Sequence, residues 1–321
     1  MSSVVEVVRI NNPENIKNND FPPLVMALGY FDGVHLGHQK VIGEAKEIAA
    51  KKGWKSGVMT FDPHPSAVLG NNKAISLLTS YSSKIAQIEK LGIDYVFIIH
   101  FTKGFADLLP QQFVDQFLIN LNVRHVVAGF DYTYGKMAEG TADTLKQQSR
   151  GFFETTIIQK ETYHGEKVSS TLIRSYIQKG EMEKVPSLLG RFYTSEGIVI
   201  HGDKRGRTIG FPTANIESDP SLLLPPQGVY AVKIKIGDSW YNGVCNVGTK
   251  PTFERETIMQ SVEVHIFDFS NEIYGEKVAV EWHIRLRSEQ KFAGIKELVT
   301  QIHKDKQQAL EYFQKKVNEQ V

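Results

Sequence analysis

Residues 29–38, GYFDGVHLGH, carry the residue types best able to perform chemistry in the first half of the chain. Their glycines let the backbone turn sharply and approach a ligand closely. His35 and His38 are three residues apart, so they share one face if a helix starts here. A helix start also offers free backbone N–H groups and the positive end of a dipole, which suit phosphate. The segment therefore predicts a nucleotide phosphate site, with the candidate residues Gly29, Phe31, Asp32, Gly33, His35 and His38.

Two other roles remain open for the histidines at this point. Both rings could be polar residues that are satisfied at a helix start, without any ligand. They could also bind a metal ion with Asp32, but the neighbouring sequence offers no convincing third ligand. The surrounding sequence favours a phosphate-binding role, because the segment follows an apolar run and opens an amphipathic stretch.

A second cluster, at residues 201–215, collects glycines, basic residues and hydroxyls in one loop. Backbone N–H groups of such a loop, around Gly206 and Arg207, could wrap a polyphosphate. Thr213 and Asn215 offer two oxygen ligands on one face of a strand to a hard cation such as Mg²⁺. For the basic part alone, a solvated hairpin turn is the simpler interpretation. The loop lacks the Walker A pattern, which excludes a P-loop kinase.

The first half of the chain alternates short apolar runs with amphipathic stretches. The runs predicted as strands are residues 24–28, 56–61, 95–99, 123–128 and 155–158. Helical spacing of apolar residues between them predicts helices that end before Gly53 and Gly92, and a third that begins at Pro110. This alternation predicts a parallel sheet covered on both faces, which is a doubly wound, Rossmann-like α/β domain.

After Gly190 the pattern changes to β-like runs joined by turns rich in glycine, proline and aspartate. Several runs alternate apolar and polar residues, the period of a half-buried antiparallel strand. A small closed barrel is the simplest architecture for them. Two short helices at 169–179 and 181–189 precede it, and an amphipathic helix with Phe292 near its start ends the chain. We place the domains at residues 1–187 and 188–321.

Three further segments offer ligand-binding groups to the first domain. Phe61, Pro63 and His64 follow a predicted strand, where the prolines favour a rigid loop and the ring could stack on a planar group. Asp131 follows a later strand at the same carboxyl edge, where open α/β sheets bind ligands. Residues 168–174 place hydroxyls and an arginine at a helix start, which could hold a pyrophosphate. A plain helix N-cap is the alternative for that last segment.

These segments together resemble the N-terminal adenylyltransferase module of the prokaryotic bifunctional riboflavin kinase/FAD synthetase family. The match extends from about Leu24 to Arg174 and uses four motifs in order. It implies a nucleotidyltransferase domain that transfers AMP from ATP to FMN, giving FAD and pyrophosphate. By the resemblance, His35 and His38 contact the ATP phosphates, Asp131 lies near the nucleotide, and the loop of Phe61 lies near the flavin. Pyrophosphate would be held by Ser170, Thr171 and Arg174.

The sequence GFPTAN at residues 210–215 looks like the signature of flavokinases, and residues 246–253, 263–269 and 273–275 continue that resemblance. The match implies a six-stranded barrel that phosphorylates the ribityl hydroxyl of riboflavin from Mg-ATP. Carried over by position, Thr213 and Asn215 hold magnesium and phosphates, and Glu263 is the catalytic base. A carboxylate suits the removal of a hydroxyl proton during phosphoryl transfer. Arg287 and Phe292 are weaker candidates for flavin contact.

Length and composition limit the class of protein. A chain of 321 residues exceeds what one core usually organises, so two domains are expected. A net charge of +1 argues against nucleic acid as the main partner, because phosphate backbones need a basic surplus. The single cysteine, Cys245, excludes an intramolecular disulfide. No signal peptide or membrane-length apolar run is visible, so we expect a cytoplasmic protein without a membrane partner.

The two resemblances together imply a bifunctional enzyme that makes FMN from riboflavin in the barrel and FAD from FMN in the first domain. Its partners would be riboflavin, FMN, FAD and ATP, with Mg²⁺ as cofactor and the chain as a monomer or weak homo-oligomer. The alternatives are one active module only, another phosphate ester as acceptor, or a flavin- or nucleotide-binding regulator with decayed catalysis. Decay usually removes charged and histidine residues, whereas His38, Arg174 and Glu263 are present.

Overall fold

The computed structural model describes residues 5–16, 20–70, 75–202, 205–251 and 258–318. The chain forms two compact units. One contains Met1–Ser76 and Tyr81–Ser170, and the other contains Leu77–Ser80 and Thr171–Val321. The boundary that we expect between residues 187 and 188 lies inside the second unit, and it stays a prediction about functional modules.

Strands and helices alternate in the first unit. Its strands are β1 (Glu6–Ile10), β2 (Leu24–Leu28), β3 (Lys55–Asp62), β4 (Tyr95–His100), β5 (Val123–Gly129), β6 (Thr133–Tyr134), β7 (Gly140–Thr141), β8 (Glu154–Ile158), β9 (Thr162–Tyr163) and β10 (Glu166–Lys167). Its helices are α1 (Leu36–Lys52), α2 (Pro65–Val68), α3 (Tyr81–Lys90), α4 (Lys103–Ala106), α5 (Pro110–Phe113) and α6 (Ala142–Gln148). A π-helical segment, Val114–Ile119, continues α5, and 3₁₀ turns lie at Pro13–Asn15 and Lys136–Ala138.

Six of these strands form a parallel sheet in the order β1-β4-β3-β2-β5-β8. Successive side chains of a strand point to opposite faces, so alternate residues of β2 enter different cores. Leu24 and Met26 belong to the core that contains the Phe113 ring of α5. Val25 belongs to the core that contains Ile42 of α1. Both faces are therefore covered, and the predicted doubly wound α/β fold is confirmed.

The apolar runs predicted the inner strands well and the rest of the unit less well. Strands β2, β3, β4, β5 and β8 lie within one residue of their predicted ends. Strand β1 was not predicted, because this edge strand is mostly exposed and lacks a continuous apolar run. The helix predicted from Pro110 is a short α turn followed by the π-helical segment, which stacks Phe113 on Phe117 at 5.8 Å.

Both ends of α1 have identifiable signals. His35 is its N-cap residue, and the His35 Nδ1 accepts a hydrogen bond from the backbone N–H of His38 at 3.2 Å. Gly53 ends the helix with a φ of 67°, the left-handed conformation that favours glycine. The N–H of Gly53 bonds to the carbonyls of Ala49 and Ala50. The first turn of α1 is thereby fixed at the carboxyl end of β2.

Antiparallel strands dominate the second unit. They are β11 (Tyr193–Ile200), β12 (Ala214–Ser218), β13 (Gly228–Ile236), β14 (Ser239–Pro251), β15 (Ile258–Ile266) and β16 (Lys277–Arg287). The helices are α7 (Ser170–Lys179), which begins at the last residue of the first unit, α8 (Pro186–Leu189), α9 (Arg205–Thr208) and α10 (Ile295–Asn318). Residues 181–189, predicted as one helix, form a 3₁₀ turn at Met182–Lys184 and then α8.

The six strands close into a barrel in the order β11-β12-β15-β14-β13-β16. Tyr230, Cys245 and Val264 are directly opposite one another on neighbouring strands and are fully buried in its interior. Helix α10 packs on the outside through Ala309 and Phe313. The predicted six-stranded antiparallel barrel with a C-terminal helix is confirmed.

A short segment from the first half of the sequence, Leu77–Ser80, belongs to the second unit. The Leu77 N–H donates to the Ser221 carbonyl at 2.7 Å, and the Leu223 N–H donates to the Leu77 carbonyl at 2.9 Å. The Ser80 hydroxyl donates to the Glu196 carboxylate of β11 at 2.6 Å. No periodicity in the sequence predicts this docking, because its partners are more than a hundred residues away along the chain.

Candidate functional site

The turn between β2 and α1 holds the histidine segment in a strained conformation. Phe31 and Val34 adopt φ angles of 59° and 42°, in the left-handed region that non-glycine residues rarely enter. Gly29 makes room for a ring, because a Cβ there would lie 2.8 Å from Phe31. Backbone strain of this kind clusters at ligand-binding and catalytic turns. The turn also lies at the carboxyl end of β2, the edge at which open α/β sheets bind ligands.

His35 and His38 stack on each other at the start of α1, with ring centroids 3.5 Å apart and an interplanar angle of 18°. Burial lowers the pKa of His38 well below its usual value, and the charges of His35, Lys167 and Lys84 lower the pKa further. His38 is therefore neutral at pH 7, and its ring can donate a hydrogen bond without carrying a charge. The Nδ1 of His38 is buried and has no hydrogen-bond partner within the part of the chain that the structure describes.

Asp32 is buried in the same turn, and its backbone connects the turn to the start of α7. The Ser170 hydroxyl donates to the Asp32 carbonyl at 2.9 Å. Thr171 and Arg174 follow on α7 in the second unit, and their pyrophosphate roles stay predictions. Among the described residues, no group of three or more His, Cys, Asp or Glu side chains could hold a metal ion.

Asp131 lies at the surface and pairs with a lysine that sequence reasoning missed. The Lys167 ammonium forms an ion pair with the Asp131 carboxylate. It also lies 4.7 Å from the ring centroid of Phe130. Because Lys167 lowers the pKa of His38, its positive charge reaches the histidine pair. Lys167 is therefore a positive group near the histidine pair that is also paired with Asp131.

The predicted flavin loop begins at a core residue. Phe61 is only 9 % exposed, and its ring packs against Phe101 at 6.0 Å and Phe105 at 5.5 Å. The ring therefore fills the core beneath the sheet edge, and its stacking on a flavin stays a prediction. Pro63 follows through a cis peptide bond from Asp62.

His64 has two local roles at the end of the same loop. Its Nδ1 accepts a hydrogen bond from the Ser66 backbone N–H at 3.0 Å, which caps α2. Its ring also meets Tyr30 of the histidine turn edge to face, with centroids 4.2 Å apart. The loops that follow β2 and β3 are therefore in contact at the sheet edge. A flavin contact from His64 stays a prediction.

Lys84 of α3 is the buried charge that sequence reasoning missed. It is 4 % exposed, and its ammonium donates to the Thr60 hydroxyl at 3.1 Å and to the Tyr30 carbonyl at 3.4 Å. A signal was present in the sequence, because Lys84 precedes the core residue Ile88 by four positions and thus lies on the apolar face of α3. A lysine on such a face is rarely buried without a partner or a function.

The barrel has its own row of candidate groups. Asn215 on β12 lies directly opposite Glu263 on β15, and Glu263 lies directly opposite Asn246 on β14. Val262 and Val264 point into the buried interior, so the three polar side chains share the outer face. Neighbours of this kind have Cβ atoms about 4.5–5.5 Å apart. The register thus brings the predicted cation ligand and the predicted base together.

The loop before β12 is shaped around Asn215. A Cβ on Gly202 would overlap the Asn215 side-chain amide, so the absence of a side chain leaves room for that amide. Gly206 packs on the Phe211 carbonyl, and its own carbonyl accepts from the Phe211 N–H at 2.8 Å. Thr213 lies just before β12, and Arg207 lies on α9. Asp203 and Lys204 of the predicted phosphate loop, with Thr252 and Phe253 of the flavokinase resemblance, lie outside the described residues.

Arg287, a predicted flavin contact, has a structural partner. Its guanidinium donates to the Asp305 carboxylate of α10 at 2.9–3.1 Å through two nitrogens. Asp305 is 2 % exposed and also accepts from Gln301 at 2.9 Å. The Phe292 ring centroid lies 5.7 Å from the guanidinium carbon of Arg287. The pair fixes the end of β16 to α10, and the flavin roles of Arg287 and Phe292 stay predictions.

Comparisons with known proteins match two successive segments of the chain to two different families. A family model described as FAD synthetase matches residues 17–172, and a riboflavin kinase model matches residues 189–313. A Bacillus subtilis protein described as bifunctional riboflavin kinase/FMN adenylyltransferase is 52% identical over 311 residues, covering 96% of this chain and 98% of its own. A Listeria monocytogenes protein with the same description is 49% identical, covering 91% of this chain and 93% of its own.

The chain belongs to the bifunctional riboflavin kinase/FMN adenylyltransferase family. It is therefore a two-activity enzyme that makes FMN from riboflavin and FAD from FMN, as the sequence predicted. Riboflavin, FMN and FAD are its substrates and products. The α/β unit carries the match to FAD synthetase, and the barrel carries the match to riboflavin kinase.

A solved structure has the same fold as this bifunctional enzyme over nearly its whole length. It is described as a macrolide-efflux protein from Streptococcus pneumoniae, and it superimposes with a TM-score of 0.87 at 33% sequence identity. The match covers 94% of this chain and 98% of that one. The described residues of the enzyme contain no helix that is long and apolar enough to cross a membrane.

Proposed function

We propose that the FMN adenylyltransferase reaction takes place at residues 29–38. A phosphate oxygen of FMN attacks the α-phosphorus of ATP, the bond from that phosphorus to the bridging oxygen breaks, and pyrophosphate leaves. Such a transfer depends on positioning and charge stabilisation and needs no covalent intermediate on the protein. The start of α1 supplies backbone N–H groups and a positive dipole end for the phosphates. Neutral His38 supplies a hydrogen bond that strengthens as negative charge develops on a phosphate oxygen.

The other residues predicted for this site are assigned to different parts of the substrates and products according to their positions in the fold. Gly29, Phe31, Asp32 and Gly33 shape the turn around the ATP phosphates, and His35 holds the ring of His38. Phe61, Pro63 and His64 lie at the neighbouring strand end and are assigned to the flavin. Asp131 is assigned to the nucleotide. The departing pyrophosphate is assigned to Ser170, Thr171 and Arg174.

We assign riboflavin phosphorylation to the outer face of the barrel around Asn215 and Glu263. Glu263 accepts the proton of the ribityl hydroxyl as the hydroxyl oxygen attacks the γ-phosphorus of ATP, and ADP leaves. Gly206 and Arg207 are assigned to the phosphates, and Arg287 and Phe292 to the flavin. The observation that carries this assignment is the direct pairing of Asn215 with Glu263 across β12 and β15.

The residues at this face fit Mg²⁺. The ion prefers oxygen ligands, and the amide oxygen of Asn215 and the hydroxyl of Thr213 are hard oxygen donors. The glycine at position 202 leaves the Asn215 amide the space that a side chain there would fill. Thr213 and Asn215 would hold the ion, which when bound neutralises charge on the transferred phosphate.

We propose that ATP and the flavins are the enzyme's main partners and that the chain works in the cytoplasm as a monomer or weak homo-oligomer. Both reactions consume ATP, and their flavin substrates and products are small molecules. The net charge of +1 suits small anionic ligands better than a nucleic-acid backbone.

One time course tests the proposed function. The protein is incubated with riboflavin and Mg-ATP, and the flavins are separated at intervals. FMN should rise first and FAD should follow, and a chelator added at the start should prevent both. Appearance of neither product, or of FMN alone with no FAD from supplied FMN, would contradict the two-site proposal.

A further inference from the structure

Lys84 lies at the point where the two loops of the adenylylation site meet. Its ammonium donates to the Tyr30 carbonyl of the histidine turn and to the Thr60 hydroxyl of β3. The Thr60 hydroxyl in turn donates to the same Tyr30 carbonyl at 2.8 Å. The ammonium also lies 4.2 Å from the ring centroid of Tyr30. One buried cation thus fixes the turn after β2 to the end of β3.

Two carboxylates act electrostatically on this cation. Asp32, which is 4 % exposed, and Asp62 both interact favourably with the Lys84 ammonium. Without that positive charge, both carboxylates would repel the phosphates of ATP and FMN at the sheet edge. A buried charge that loses its partner is also strongly destabilising. The position of Lys84 therefore affects both the shape of the turn and the charge that a phosphate meets there.

We propose that Lys84 is a positioning residue for FMN adenylylation: it holds the histidine turn against β3 and offsets the charge of Asp32 and Asp62. This inference rests on the proposed placement of that reaction at residues 29–38. Lys84 acts through the turn, and the phosphates themselves are bound by the groups at the start of α1. The two contacts come from one ammonium, which donates to the Tyr30 carbonyl of the turn and to the Thr60 hydroxyl of β3.

The proposal predicts that the rate of FMN adenylylation falls at alkaline pH. Burial lowers the pKa of Lys84 to about 8, against the raising effect of Asp32 and Asp62. The other charged and titratable groups nearby are His38 of α1 and Tyr81 of α3, the latter beneath the guanidinium of Arg9. Lys84 therefore carries its charge below about pH 8 and loses it above. FMN adenylylation should decline on the alkaline side as the ammonium is lost.

The experiment measures FAD formation from supplied FMN and Mg-ATP in Lys84→Met, Lys84→Arg and the parent enzyme. Lys84→Met should lower kcat/KM about a hundredfold, the loss typical of one preorganised electrostatic contact. Lys90→Met, an exposed lysine on the same helix, is the matched control and should retain the parent rate. Riboflavin phosphorylation by each variant, followed as FMN appearance, should also match the parent.

The pH profile separates positioning by charge from a merely structural role. The parent should lose kcat/KM above about pH 8, a profile that reports the free enzyme. Lys84→Arg should keep its activity to higher pH, because an arginine stays protonated there. Full FAD formation by Lys84→Met, or identical alkaline profiles for the parent and Lys84→Arg, would overturn the proposal.

A third variant separates this proposal from the function on which it rests. His38→Asn is assayed beside the Lys84 variants. If His38→Asn forms FAD at the parent rate, the reaction does not take place at residues 29–38 and both inferences fail. If His38→Asn is inactive while Lys84→Met is fully active, the placement stands and only the role of Lys84 is refuted.

Discussion

Asn215 and Glu263 are directly opposite each other on β12 and β15, two strands separated in sequence by two others. The pairing puts an amide oxygen and a carboxylate side by side on the outer face of the barrel. A carboxylate beside cation-bound phosphates can accept the proton of the attacking hydroxyl while the phosphoryl group is transferred. The relationship also means that either residue can be altered without touching the packed interior, where Val262 and Val264 lie.

Glu263→Gln should therefore stop FMN formation while FAD formation from supplied FMN continues. The substitution keeps the shape of the side chain and removes its basicity, and loss of a general base costs about 10²–10⁴ in rate. Product separation after incubation with riboflavin and Mg-ATP measures the effect. Glu217→Gln on β12, an exposed glutamate, is the control. Riboflavin phosphorylation at the parent rate in Glu263→Gln would show that Glu263 is not the base.

Gly202→Ala should also impair riboflavin phosphorylation, in this case by displacing Asn215. The added methyl group would overlap the Asn215 amide, so the amide must move away from its place beside Glu263. We expect a higher KM for Mg-ATP in riboflavin phosphorylation and no change in FAD formation from FMN. Steady-state kinetics at varied Mg-ATP checks this. An unchanged KM would mean that the position of Asn215 does not matter for binding Mg-ATP.

His38→Asn should abolish FAD formation and leave riboflavin phosphorylation intact. The neutral ring of His38 offers a hydrogen bond at the start of α1, and loss of one such contact costs about 10²–10³ in rate. His164→Asn is the control, because His164 is exposed and has a φ of 47° that asparagine tolerates. Separate assays of the two half-reactions measure the outcome. Loss of both activities in His38→Asn would contradict the division of labour between the units.

The neutrality of His38 also sets a pH expectation for FAD formation. Burial and neighbouring positive charges hold its pKa well below the usual value, so the ring stays neutral as pH falls from 8 to 6. We expect kcat/KM for FAD formation, which reports the free enzyme, to show no loss assignable to protonation of His38 across that range. A pH titration of His38 followed by NMR of the ring protons measures this directly. A midpoint near the usual histidine pKa would contradict the neutral assignment.

Sequence patterns predicted the sheet well because its inner strands are continuous apolar runs. Burial on both faces demands such runs, and β2 is fully buried along Leu24–Leu28. The histidine turn was also predictable, because glycine and histidine spacing is a local property. Strand β1, by contrast, is an exposed edge strand, and edge strands need no apolar run.

The parts that escaped prediction are long-range relationships. The opposition of Asn215 and Glu263 depends on the pairing of β12 with β15 across the barrel, which no local pattern encodes. Lys84 contacts Tyr30 and Thr60, which precede it by 54 and 24 positions. A helical pattern could place Lys84 on an apolar face, but only the folded sheet shows what that face meets.

Gly43→Ala should stabilise the first unit. Gly43 lies inside α1, and a Cβ there meets no atom within 4 Å. Alanine restricts the unfolded chain and costs nothing in the helix, so the gain should be about 0.5–1 kcal/mol. A denaturant titration of the parent and the variant measures the difference in the free energy of unfolding of this unit. A loss of stability would contradict this expectation, because it would mean that α1 does not tolerate a methyl group at position 43.

Asp305→Ala should destabilise the barrel unit strongly. The Asp305 carboxylate is 2 % exposed and accepts from Arg287 through two nitrogens, so its loss leaves a largely buried guanidinium without its partner. Breaking a buried pair by removing one member typically costs about 3–5 kcal/mol. Thermal unfolding compared with Glu311→Ala, an exposed change on the same helix, measures the effect.

The double variant Arg287→Met with Asp305→Leu tests the cause of that loss. Replacing both charges by apolar groups removes the uncompensated charge, so much of the stability should return. Riboflavin phosphorylation by the same double variant then reports on Arg287 separately from folding. A stable but weakly riboflavin-binding double variant would support the predicted flavin contact. A stable double variant with the parent KM for riboflavin would show that Arg287 serves only to fix β16 to α10.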